Sequence, residues 1–146
     1  MSITRHDPNT VFLGGEATRV NDLATSETLT PGHLLERFNN GGITRVHKHD
    51  TAGGPGPALV CLEHSMVNDG VDDTYAANDL VEAAVLHAGA TAWMFIASGQ
   101  NIAFGDKLES AGDGTLRITN AGTTLFTALE NKPNVAVQTR IRVEAV

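Results

Sequence analysis

Val135-Ala136-Val137-Gln138-Thr139-Arg140-Ile141-Arg142-Val143-Glu144-Ala145-Val146 closes the chain. Val135, Val137, Thr139, Ile141, Val143 and Ala145 alternate there with Ala136, Gln138, Arg140, Arg142, Glu144 and Val146. Successive side chains of a strand point to opposite faces, so this period of two predicts one long strand with a core face and a wet face. Just upstream, Thr115-Leu116-Arg117-Ile118-Thr119 repeats the alternation in miniature. Gly112-Asp113-Gly114 before it tolerates the backbone of a tight turn, which makes this segment one arm of a hairpin.

Working outward, Ala58–Leu62 and Ala92–Ala97 are continuous apolar runs, the pattern of central strands covered on both faces. Ala76–His87 mixes Ala, Leu and Glu and reads as a strand, whereas Thr123–Glu130 fits a strand or a short helix stopped at Lys132-Pro133. The composition points the same way. Val, Ile and Thr total 34 residues against 13 Glu, Lys and Gln, a balance that favours strands over helices. Paired glycines at Gly14-Gly15, Gly41-Gly42 and Gly53-Gly54 cut the chain into short segments. The expected fold is mainly β: a small single-domain barrel or sandwich over residues 13–146, preceded by an extended N-terminal arm over residues 1–12.

Ten Lys and Arg against 17 Asp and Glu give a net charge of −7, which opposes the phosphate backbone of nucleic acid and an anionic membrane surface. Neither is an expected partner. No apolar stretch long enough to cross a bilayer occurs, and the N-terminus carries no signal-peptide pattern, so synthesis in a cytoplasm is expected. The single cysteine, Cys61, excludes an internal disulfide and lies in an apolar run, where a thiol behaves as a small hydrophobe. Charge is unevenly placed, because no Lys or Arg occurs from His49 through Asp106, a span that holds eight acids. If that middle forms one surface, it is acidic and soluble, leaving a less charged side to dock.

The six histidines are the candidates for chemistry. His47 and His49 are two apart, share a strand face, and follow Gly41 with a spacing that resembles the opening of the cupin metal motif. Where that motif next requires a glutamate, this chain has Gly53 and Gly54, and no third histidine follows in the expected place. A cupin-like metal-binding barrel using His47 and His49 is therefore the alternative reading, and an exposed pair near a turn is the preferred one. Asn68–Asp73 gathers carboxylates without the alternating ligands of a calcium loop, so it reads as an acidic turn. His64-Ser65 are adjacent and face apart, and Gly53–Pro57 lacks the amide donors and lysine of a phosphate loop. No catalytic set, cofactor or metal site is expected.

Three stretches carry a resemblance: Leu29-Thr30-Pro31-Gly32-His33-Leu34-Leu35-Glu36, Gly70-Val71-Asp72-Asp73-Thr74-Tyr75-Ala76-Ala77-Asn78-Asp79, and Ala97–Leu116 with its Ala97-Ser98-Gly99-Gln100-Asn101 and Phe104-Gly105-Asp106 turns. In order and spacing they resemble the head decoration, or cement, proteins of tailed bacteriophages. The resemblance implies a trimer without cofactor that binds the major capsid protein on the outside of the expanded head, at threefold or quasi-threefold points, and resists internal DNA pressure. It also implies a virion location. In that setting the arm would supply capsid contacts through Ile3, Arg5, Val11, Phe12 and Leu13, adding to an exposed strand of the shell.

Overall fold

The computed structural model describes residues 10–146. Eleven strands lie among them: β1 (Phe12–Gly14), β2 (Ala17–Ala24), β3 (Leu35–Asn40), β4 (Ile43–Lys48), β5 (Leu59–Cys61), β6 (Leu80–Leu86), β7 (Thr91–Ile96), β8 (Lys107–Ser110), β9 (Leu116–Ile118), β10 (Phe126–Ala128) and β11 (Thr139–Ala145). A single 3-10 turn, Ser65–Val67, interrupts them. The expected mainly-β class is what the chain adopts.

Five strands close a barrel, running β7-β11-β10-β8-β9 and back to β7, with β1 added at the flank. All pairings are antiparallel except the closing one, where Ile96 of β7 meets Leu116 of β9 in parallel. One edge of β7 joins β11 over six residue pairs, from Thr139↔Ile96 to Glu144↔Thr91. Its other edge is satisfied piece by piece. Trp93 N–H donates to Val11 O, Phe95 N–H to Gly32 O and Ala97 N–H to Leu116 O. Three remote segments thereby complete one strand's hydrogen bonding, as a buried backbone requires.

Against the barrel lies a three-stranded sheet, β2-β6-β5, and the β3–β4 hairpin. This arrangement makes two cores. The barrel core includes Leu34, Val60, Ala84, Leu86, Met94, Ile96, Leu108, Phe126, Ile141 and Val143. The second core includes Leu29, Leu35, Val46, Leu59, Cys61, Tyr75, Val81 and Ala83. Strands β5 and β6 alternate between them: Val60 and Ala84 face one, Leu59, Cys61, Val81 and Ala83 the other. Being covered on both faces is why Ala58–Leu62 carries no polar residue. Position in the sheet differs from the sequence expectation, since β5 is an edge strand. Its outer backbone is nonetheless paired, with Cys61 N–H donating to His33 O and Gly32 N–H to Cys61 O.

The closing strand is shorter than its alternation predicts. Val135 is buried, but Ala136, Val137 and Gln138 are exposed, and pairing begins at Thr139. The cause is local: Gly99 N–H donates to Val135 O and Val135 N–H to Gln100 O, which ties this segment to the 99–101 turn instead of the barrel. The β8–β9 hairpin follows expectation, with Gly112 and Gly114 both at positive φ. Ala76–Asp79 forms a turn before β6, and Thr123–Glu130 yields strand β10, not helix.

Candidate functional site

The β3–β4 hairpin turns through Gly41 and Gly42 at φ +61° and +91°, the left-handed pair that a two-residue hairpin needs. Its register places Glu36 directly opposite His47. Three ligand-type side chains meet beside this pair, with one donor atom each of Glu36, His47 and Asp50 within 4.8 Å of the others. His47 Nε2 lies 3.0 Å from Glu36 Oε1, and the Asp50 backbone N–H donates to that same oxygen at 3.2 Å. The imidazole stacks on Phe38 at 4.3 Å between ring centroids, which holds its plane. A hydrogen bond with the Glu36 side chain is the largest influence holding the Asp50 carboxyl below its ordinary pKa; desolvation opposes it and the nearby His47 reinforces it.

His49 behaves otherwise than the sequence suggested. It is 1% exposed, not a surface residue. Its Nδ1 is 2.8 Å from Ser110 Oγ and its Nε2 3.2 Å from Pro55 O, so both nitrogens have protein partners. The carbonyl can only accept, which makes Nε2 the donor and Nδ1 the acceptor of the serine hydroxyl. The chain turns inward after Lys48 because His49 N–H donates to Leu34 O at the end of the hairpin. The pair of the cupin-like reading is thereby split: His47 reaches the surface cluster, and His49 is a core strut.

Close by, Glu109 is fully buried. Its Oε1 accepts from Arg117 Nε at 3.0 Å and from Asn120 N–H, while Oε2 has no protein partner. Gly53 and Gly122 cover that oxygen closely. His33 is also buried, with its Nδ1 accepting from Thr30 N–H and its ring 4.9 Å from Phe95. Burial, then the Lys48 charge, hold its pKa down at about 4. Burial pushes the Cys61 thiol well above its usual range, so it is no nucleophile. His64 stacks on Tyr75 instead of serving Ser65, whose hydroxyl donates to Glu82.

Most acids of the middle segment hold loops. Asp73 accepts from Gly70 N–H, Asp79 from Ala76 N–H and Asp106 from Ala103 N–H, each three residues back. Glu63 accepts from Thr10 Oγ1 and Val11 N–H and Glu82 from Met66 N–H. The Asn68–Asp73 stretch is an acidic turn, as expected.

The residues expected to contact a capsid are dispersed. Val11 is fully buried in the barrel core and Phe12 packs against it from β1, so the folded body starts before residue 13. Leu13 is 42% exposed. Ile3 and Arg5 lie outside the described residues. A separate apolar feature was not anticipated: Ile43 and Leu80, both more than half exposed, line a shallow groove with Asp22, Ala24, Asn40, Thr44 and Arg45. Missing from the sequence reading was Glu36. Counting back symmetrically from Gly41-Gly42 places it opposite His47, so the hairpin turn held the signal.

The fold and its polar groups define a compact β-barrel module in which the buried polar side chains mainly hold loops and strands together. No protein-family model matches the chain, and no curated protein matches it. Among solved structures it is similar to the head fiber gp8.5 N base in bacteriophage phi29, with a TM-score of 0.59 at 13% identity. The match covers 90% of this chain and 93% of that one. The two share a fold over most of both chains.

Proposed function

We propose that this chain is a structural component of a bacteriophage head, mounted on the outer surface of the capsid as a decoration protein. The observation that carries the reading is the whole-chain fold likeness to a phage head-fiber base. The stretches that resemble decoration proteins add to it, because two of them meet in space. Arg140 bridges them, with Nε donating to Pro31 O, Nη2 to Val71 O and Nη1 to Asp72 Oδ1 at 2.9 Å.

The chemistry suits adhesion. A net charge of −7 keeps the particle surface soluble and repels other particles. Ile3 and Arg5, together with the exposed Leu13, are the proposed contacts with the major capsid protein. In a homotrimer, three copies of this contact acting together raise avidity about 100-fold over one. A threefold or quasi-threefold point on the shell is the matching geometry.

A second reading, the base of a head fiber, is favoured by the same neighbour. Mixing the purified chain with expanded, undecorated heads distinguishes the outcomes. Co-sedimentation together with greater resistance of the heads to heat supports decoration. Co-sedimentation without added resistance supports the fiber base, and failure to co-sediment counts against both.

A further inference from the structure

We propose that Glu36, His47 and Asp50 form a binding site for one divalent transition-metal ion of the zinc type, which fastens the β3–β4 hairpin to the loop that follows it. The inference is independent of the capsid reading and rests on three features of the cluster.

The first is convergence. A carboxylate from β3, an imidazole from β4 and a carboxylate from the loop after β4 bring three donor atoms within 4.8 Å of one another. The mixed set matters, because an imidazole with two carboxylates suits zinc and its neighbours in the first transition series, whereas calcium and magnesium prefer oxygen alone. The second is the absence of competing cations. Among the described residues, neither Glu36 nor Asp50 forms an ion pair with a lysine or arginine; Lys48 instead reaches Glu27 at 3.7 Å. Two carboxylates therefore face each other with His47 as their potential positive partner, since His49 Nε2, 3.8 Å from Glu36, already donates to Pro55 O.

The third is preorganisation. Cross-strand register fixes Glu36 opposite His47, stacking on Phe38 fixes the imidazole plane, and the Asp50 backbone N–H anchors Glu36 Oε1. Such outer supports are what hold metal ligands in place. The neighbouring His49 stays outside the ligand set, since its own nitrogens are engaged by Ser110 and Pro55. Asp50 is exposed, which leaves water free to complete the coordination sphere.

The test is calorimetric titration of the untagged full chain, in chelator-free buffer, with zinc chloride and separately with magnesium chloride. The expected result is saturable one-to-one zinc binding, weak or absent magnesium binding, and a rise in Tm on adding zinc. Glu36→Gln and His47→Gln each weaken zinc binding by about tenfold or more, and His64→Gln leaves it unchanged. Asp50→Asn, at an exposed position that does not threaten folding, weakens it severalfold. No saturable binding at millimolar zinc would overturn the proposal. So would zinc affinity that survives Glu36→Gln and His47→Gln, or that is unmoved by Asp50→Asn, or magnesium bound as tightly as zinc.

Discussion

Arg140 and Phe95 are direct cross-strand partners on β11 and β7, and the guanidinium carbon sits 4.4 Å from the centre of the phenyl ring. From that seat the same guanidinium reaches the Pro31 and Val71 carbonyls and the Asp72 carboxylate. One side chain thus joins the barrel wall to two loops that carry no regular structure of their own. The planar fork is needed, because a lysine ammonium is a compact point charge that cannot span these three acceptors from separate nitrogens and lay a flat face on the ring.

Arg140→Lys is accordingly expected to destabilise the protein by about 2 kcal/mol, from lost charge-assisted hydrogen bonds and stacking at a largely buried site. The urea midpoint measures it. An unchanged midpoint would mean that the loops hold their places without the clamp.

Stability should fall in mild acid, and His33 is one cause. Its folded pKa, about 4, is below the ordinary value of 6.5, so the unfolded chain binds the extra proton first as pH drops. Stability therefore declines from pH 6.5 toward pH 4 and this contribution levels off below; the ceiling for the group is about 3 kcal/mol. Lys48 and Arg140 reinforce the effect of burial, while Asp113 and Gln138 oppose it. Urea unfolding at several pH values checks this, with His33→Gln expected to flatten the slope across that window.

Two glycines separate packing from backbone effects. A Cβ on Gly122 would lie 2.1 Å from Glu109 Oε2 and 2.4 Å from Gly53 Cα, so Gly122→Ala should cost more than about 3 kcal/mol or prevent folding. Gly14 meets nothing within 4 Å, and Gly14→Ala should fall within about 0.5 kcal/mol of the parent. Thermal melts of the two variants side by side decide the point.

Phe126 is fully buried where β10 pairs with both β8 and β11. Phe126→Ala should cost about 3–5 kcal/mol through lost burial and a cavity, read from chemical denaturation. A loss below 1 kcal/mol would mean the barrel core refills easily.

Much of this architecture is legible in the residues themselves. The alternation around Ile141 and Val143, the glycines flanking Asp113 and the unbroken run at Trp93–Ile96 each specify their strands, because local pattern and burial agree there. Val137 misled, since an apolar residue at the right period still follows the backbone partners of Val135. The burial of His49 and the approach of Glu36 to His47 depend on how the hairpin seats against Leu34 and Ser110. A linear pattern states neither. The barrel's closure through Ile96 and Leu116 is likewise a long-range pairing with no local signature.

The proposed role of this barrel in a phage head is open to direct imaging. Electron cryomicroscopy of expanded, undecorated heads incubated with the purified chain should show added density on the outer face of the shell, shaped like the 10–146 body, at threefold or quasi-threefold positions. Heads whose outer surface is identical with and without a saturating excess of the protein would contradict it.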